Sequence, residues 1–297
     1  MAYNNARRVD MGAVFRALFT AIQWRLLLVW LLLLLIPTLV VALPVWGTLS
    51  ELLDHSVHAD AWAKQFDAMM AGDVVHIVSE QSGGLKAAAI AGTLVTLLLS
   101  PWLNGMIVGA GRSGRTPSMG EHLHNGLSMY GKMFRLLLWS VLLYAGAAWL
   151  VSHGADFADK HDEKAVLKSQ GDQWEHSVYW LIGVLFVLVH AIVDSARSAY
   201  IADPSLRSAT VALARGVMQL LRRPLTTLFT YVLISAIGYG LILLLGMLRI
   251  QWSAASWIGL IGGVLLVQLL SAVTGWTQAA RVFALAEVAR SLGRRSF

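Results

Sequence analysis

Six apolar runs, each bounded by polar segments, limit what this chain can fold into more than any other feature. They cover 26–46, 85–110, 136–152, 178–193, 225–248 and 257–276. A helix rising about 1.5 Å per residue needs roughly 20 apolar residues to cross about 30 Å of hydrocarbon. Four runs reach that length comfortably, and the third and fourth are expected to extend into their flanks. Because a bilayer offers the backbone no water, each run must satisfy its own polar groups, which a helix does. The expectation is an all-α, polytopic protein with six transmembrane helices and one membrane domain covering 1–297. The segments 47–84 and 153–177 are read as its outer loops.

Composition supports this reading. Hydrophobic residues make up 57% of the 297-residue chain and charged residues 13%, too few charges to cover a soluble globule of that length. The two longest polar stretches are too short for an ordinary globular domain.

Charge sets an expected orientation. With a cytoplasmic N-terminus, the inner segments hold 17 of the 23 basic residues but five of the 17 acids: Asp10, Glu121, Asp194, Asp203 and Glu287. Lys and Arg in short flanking loops stay on the cytoplasmic side, so both termini are expected there, in a bacterial inner membrane. The net charge of +6 is then the sum of a basic inner face and an acidic outer face. It is not a nucleic-acid footprint, since no recognition helix or folded basic module accompanies it. The partners it implies are membrane lipids, especially anionic headgroups at the inner face, along with a membrane protein partner in one reading.

The first apolar run is longer than a signal-peptide core and is read as a retained anchor. The chain has no cysteine, which removes disulfides, thiolate metal sites, cysteine nucleophiles and palmitoylation.

An amphipathic segment precedes each odd-numbered span. Met11, Val14, Phe15, Leu18, Phe19 and Ile22 fall on one face of a 3.6-residue helix. Met119, Leu123, Leu127, Tyr130 and Phe134 repeat the spacing before the third span. Leu206, Leu213, Val217 and Leu220 repeat it before the fifth, where Asp203-Pro204-Ser205 supplies a helix start. The junction Trp24-Arg25-Leu26-Leu27-Leu28 matches Phe134-Arg135-Leu136-Leu137-Leu138, and Arg222-Arg223-Pro224-Leu225 holds the equivalent place. Arg16, Arg25, Arg135, Arg207, Arg215, Arg222 and Arg223 are the expected membrane-surface cations, reaching headgroups while their stems stay in apolar surroundings. The chain is thus read as three pseudo-repeated hairpins, each an amphipathic interfacial helix, a span, an outer loop and a span. The plainer alternative is that any interfacial helix looks like this.

The even spans end alike. Asp194-Ser195-Ala196-Arg197 after the fourth resembles Thr277-Gln278-Ala279-Ala280-Arg281 after the sixth, with Asn104 and Gly105 near the same place in the second. This pattern resembles a broad class of uncharacterised bacterial six-span inner-membrane proteins. The resemblance covers most of the chain. It implies the architecture and brings no catalytic residues with it.

His190, Asp194 and Arg197 share one helical face near the inner end of the fourth span, and Gln268, Gln278 and Arg281 of the sixth are candidates to meet it. Ionisable groups at membrane depth are costly and usually face a cavity or a partner. The candidate polar site is therefore His190, Asp194, Arg197, Gln278 and Arg281. Its functional reading is a pocket or proton relay; its structural reading, the favoured one, is an ion pair that locks helices together. Elsewhere the spans lack a midplane Asp, Glu, Lys or Arg, which disfavours an ion-driven pump. Pro37, Pro44 and Pro101 are read as kinks.

Gly259-x-x-x-Gly263 and Ala236-x-x-x-Gly240 are expected to let helices approach closely. Trp24, Trp46, Trp149, Trp180, Trp257 and Trp276 are expected as interfacial anchors. Asp54, His55, His58 and Asp60, and His153, Asp156, Asp159, His161 and Asp162, carry metal-binding side chains without a recognised spacing, and solvated acidic loops are the expectation. Trp62, Phe66, Met69 and Met70 fit an amphipathic outer helix. Gly109-x-Gly111-x-x-Gly114 follows a span instead of a strand, so it reads as a turn and not a dinucleotide site. No cofactor, metal or catalytic residue is expected.

Three functions remain. The favoured one is transport or handling of a lipid or other hydrophobic small molecule, which predicts flux in proteoliposomes. The second is a non-enzymatic scaffold, which predicts a stable partner and no flux. The third is an intramembrane lipid-modifying enzyme centred on His190 and Asp194, which predicts a phenotype on their substitution.

Overall fold

The computed structural model describes residues 11–53, 72, 82–162, 168–252 and 256–292. Among them are eight helices and no strand: α1 (Met11–Thr20), α2 (Trp24–Leu53), α3 (Ser82–Arg112), α4 (Met119–Asp162), α5 (Lys168–Ala202), α6 (Ala209–Arg222), α7 (Pro224–Gln251) and α8 (Trp257–Leu292). Six contain stretches long and apolar enough to cross a membrane: Trp24–Ser50, Gly83–Arg112, Met119–Ala158, His176–Ala202, Pro224–Gln251 and Trp257–Leu292. The protein is a multi-pass, all-α membrane protein. The third and fourth spans do extend into their flanks, and α4 and α5 also take up most of the stretch read as the second outer loop.

Local chemistry sets several boundaries. Ser118 and Glu121 form a reciprocal capping box at the start of α4, with the Glu121 amide donating to Ser118 Oγ and the Ser118 amide to Glu121 Oε2. Ser208 caps α6 by accepting from the Val211 amide. Pro224 occupies the first turn of α7, where its missing N–H costs nothing. Gly114, with φ at +64°, makes the turn between α3 and α4 and is the one residue with positive φ among those described. Gly109 and Gly111 do not share that role. Both are helical, with the Asn125 side chain against the first and Ile201 and Phe283 against the second.

The three amphipathic segments are not built alike. α1 and α6 are separate helices, whereas the second segment continues through Arg135 into its span as the single helix α4. Each packs part of its surface on the core and leaves part of its apolar stripe exposed. In α1 and the turn after it, Val14, Ala17 and Ala21 are buried against the core while Phe15, Phe19 and Ile22 stay exposed. The buried side of α4 carries His122, Gly126, Met129 and Met133, with Leu127 exposed.

The core forms a hub at the end of the bundle where α1 meets α8. It gathers the C-terminal parts of α3 (103–110), α5 (193–201) and α8 (279–286) with the start of α2 and the amphipathic segments. Two of the three even-numbered spans, α3 and α5, lie on the amphipathic segment that follows them, and the third, α8, closes back on α1. Trp102 donates to the Leu123 carbonyl at 3.1 Å, and Trp276 donates to the Leu18 carbonyl at 2.9 Å. A Cβ on Gly216 of α6 would stand 2.6 Å from the Ile192 carbonyl oxygen of α5, and one on Gly105 of α3 would stand 2.8 Å from the Gly126 carbonyl oxygen of α4. These are backbone-to-backbone approaches that only glycine permits.

Away from the hub, burial among the described residues is confined to scattered small residues such as Gly92, Ala158 and Gly259, while Leu43, Ile90, Leu142, Tyr179, Leu243 and Leu265 are exposed. Contacts there run within hairpins: Gly92 against Val41, Gly154 against Leu181, and Gly262 against Trp252. The hairpins therefore share a packed base and present apolar flanks beyond it.

Two packing expectations need correction. Gly240 has nothing within 4 Å and Ala236 is exposed, so that pair makes no close approach. The buried stripe of α7 includes Tyr231, Ile234, Ser235 and Gly238, on nearly the opposite face of the helix, and Gly238 is the residue that meets Thr277. Trp276 is held by its hydrogen bond to α1 and is no free interfacial anchor, whereas Trp24, Trp46, Trp149, Trp180 and Trp257 are well exposed.

Candidate functional site

The only acid buried within the hub among the described residues is Asp194, which is fully inaccessible. Its Oδ1 accepts from Arg197 Nη1 at 2.6 Å, one turn further along α5. Arg281 of α8 brings Nε to 3.0 Å from Oδ2, an ion pair lying off the line of a good hydrogen bond. Arg281 itself is 7% exposed and donates from Nη1 to Ser235 Oγ of α7 at 3.3 Å. Its guanidinium carbon sits 5.3 Å from the Tyr231 ring centroid, a cation–π distance. One arginine thereby fastens α8 to both α5 and α7.

His190 lies at the edge of this cluster. Its Nε2 is 3.4 Å from Arg281 Nη2 and 3.8 Å from Asp194 Oδ2. An arginine has no acceptor, so in this contact His190 Nε2 accepts, while Nδ1 is buried without a hydrogen-bond partner. The Phe186 ring meets the imidazole edge-on at 5.6 Å, and Tyr231 lies 5.7 Å away.

The structure thus brings together His190, Asp194, Arg197 and Arg281. Gln278 goes elsewhere: its Nε2 donates to Asn104 Oδ1 of α3 at 2.7 Å. Three residues apart on α8, Gln278 and Arg281 serve two different neighbours, because α8 packs against α1, α2, α3, α5 and α7. Chemically, Asp194 is compensated by two guanidinium groups and is not a free base. The cluster is suited to holding three helices in register.

Sequence reasoning missed two features of the hub. Arg112 Nε donates to the Tyr200 carbonyl at 2.7 Å and joins α3 to α5. His122 is fully buried, and neither of its ring nitrogens meets a hydrogen-bond partner. Arg112 was visible only as a flanking cation, and His122 only as a polar residue in an amphipathic segment.

A groove lies on the outside of the hub between α4 and the entry to α6, with a volume of about 610 Å³. Arg135, Leu138, Trp139 and Leu142 form one wall; Arg207, Ser208, Ala209 and Thr210 form the other. Of the other expected surface cations, Arg215 pairs with Asp203 at 2.7 Å and Arg25 lies over the Trp24 ring at 5.4 Å. Hydrogen bonds from Ser205 and Arg215 hold the Asp203 carboxyl below its ordinary range.

No group of three or more metal-binding side chains occurs among the described residues. His153 is turned to the Trp149 carbonyl, while Asp54, His55, His58 and Asp60 and the helix at Trp62–Met70 expected from the sequence lie outside those residues. No family model, curated protein or solved structure matches the chain.

Proposed function

We propose that this membrane protein binds and moves a lipid or other hydrophobic small molecule, with its hub on the cytoplasmic side of a bacterial inner membrane. The observation that supports this most is the contrast along the bundle. The hairpins are locked together at the hub by polar and ionic contacts, and beyond it they present exposed apolar flanks with small residues at their few contacts. Such flanks suit an apolar guest entering sideways from the bilayer, and they offer no charged path for an ion. The reading is non-enzymatic, because both oxygens of the Asp194 carboxylate are engaged by arginines. The basic surface around the hub, including Arg16, Arg222 and Arg223, favours the cytoplasmic placement.

The test is flux in proteoliposomes carrying fluorescent, headgroup-labelled phosphatidylglycerol, scored by reductant bleaching of the label from outside. Bleaching beyond the outer-leaflet fraction, faster than in protein-free vesicles, supports the reading. Kinetics indistinguishable from empty vesicles count against it.

A further inference from the structure

Arg135 and Arg207 face a common groove from two different elements, and among the described residues neither has a carboxylate partner. Other arginines at this end do: Arg115 with Glu121, Arg215 with Asp203, and Arg290 with Glu287. The two are also placed with some rigidity. Arg135 sits within the continuous helix α4. Arg207 follows Leu206, whose side chain is buried and whose carbonyl accepts from Lys132 Nζ of α4 at 3.2 Å. Upstream, Asp203 ties the same loop together, accepting from the Ser205 amide at 3.0 Å, Ser205 Oγ at 2.6 Å and Arg215. Lys132 lies within electrostatic range of Arg207, so a third cation of the same sign stands nearby.

Below the two arginines the groove changes character. Leu138, Trp139 and Leu142 follow Arg135 at i+3, i+4 and i+7, so all four share one face of α4. At about 1.5 Å per residue, Leu142 stands roughly 10 Å deeper along the helix than Arg135. Cations at the top and an apolar wall descending into the bilayer match an amphiphile with an anionic head and an acyl tail. A soluble anion would leave the lower wall unused, and an uncharged lipid would leave the cations unpaired. The volume falls within the range of small-ligand pockets, about 300–1,000 Å³.

We infer that this groove is a binding site for one anionic phospholipid, whose phosphate lies between Arg135 and Arg207 and whose chain follows Leu138, Trp139 and Leu142. This deepens the lipid reading by assigning a headgroup class and a place, and it rests on the membrane placement above.

The test uses the full-length purified protein with an equimolar mixture of phosphatidylglycerol and phosphatidylcholine of the same chain length, and counts retained lipid by native mass spectrometry. The wild type is expected to favour phosphatidylglycerol. Arg207→Gln should reduce that preference about fivefold, and Arg135→Gln with Arg207→Gln about thirtyfold, as expected for basic residues each contributing on the order of 1 kcal/mol. Arg222→Gln, which removes a charge at the opposite end of α6, should leave it nearly unchanged. The charge-conserving pair Arg135→Lys and Arg207→Lys should keep most of the preference, which separates loss of charge from loss of fold. Equal preference in the double glutamine variant overturns the site. So does an Arg222→Gln effect as large as that of Arg207→Gln, because it would show diffuse surface charge. Displacement of the lipid by inorganic phosphate overturns it as well, in favour of a soluble anion. Flux is scored separately: selectivity without flux keeps the groove and removes transport, whereas flux without selectivity does the reverse.

Discussion

Removing the Asp194 carboxylate should damage this protein far more than removing the arginine that crosses to it. The cluster contains one negative and two positive side chains, all within a packed part of the hub, with Arg197 15% and Arg281 7% exposed. Asp194→Asn leaves two guanidinium groups facing each other with no counter-charge. Breaking a buried pair by deleting one partner costs about 3–5 kcal/mol, and this site sits at the high end because both cations are stranded. Arg281→Gln instead leaves the Asp194–Arg197 pair at 2.6 Å intact and forfeits the bridge to Ser235 and α7. That change should cost about 1–3 kcal/mol, the scale of a lost buried polar contact. The double variant Asp194→Asn with Arg281→Gln should be more stable than the sum of the single losses predicts, since it strands one cation fewer. Unfolding of the purified protein in mixed micelles, as denaturing detergent is titrated in, measures all three. Equal losses for the two single variants, or a loss below about 1 kcal/mol for Asp194→Asn, would refute the view that this cluster holds the helices together.

Close helix approaches make further predictions. Gly216→Ala and Gly105→Ala should each destabilise by about 1–3 kcal/mol, because the added Cβ meets carbonyl backbone at 2.6 and 2.8 Å. Gly131→Ala and Gly146→Ala, with open space around them, should be neutral or stabilising by up to about 1 kcal/mol in the same titration. Trp276→Phe removes the hydrogen bond to Leu18 and should loosen α1, seen as faster hydrogen exchange in Met11–Thr20 with α6 unaffected. Asp203 is lowered by Ser205 and Arg215, so its contribution is complete above the ordinary aspartate value and is lost as pH falls through the lowered one. The stability gap between wild type and Asp203→Asn should therefore be constant above about pH 5 and close on acidification. A gap that widens in acid would contradict that assignment.

The spans were legible because hydrocarbon selects for length and apolarity, both local properties of the chain. The Asp194–Arg197 contact was legible for the same reason, being fixed by spacing on one helix. Arg281 was reachable by the likeness of two span endings. Its separation from Gln278 was not, because it depends on which helices surround α8, and one sequence does not record that. The mismatch on α7 has a similar origin. Ala236 and Gly240 satisfy a small-residue pattern, yet the face turned to α8 is the one carrying Ser235 and Gly238. Arg112 and Tyr200 are joined through a backbone carbonyl, which leaves no side-chain signature at all. The groove joins Arg135 to Arg207, far apart in sequence, and the packing of α4 on α5 and α6, with the tether from Lys132 to Leu206, brings them to one place.

The most direct test of lipid handling is native mass spectrometry of the protein released from its own membranes with minimal extraction. Reproducible retention of one lipid or hydrophobic small molecule, enriched over its share of the membrane, is the predicted result. A bare protein, or one carrying lipids in the proportions of the bulk membrane, would contradict it.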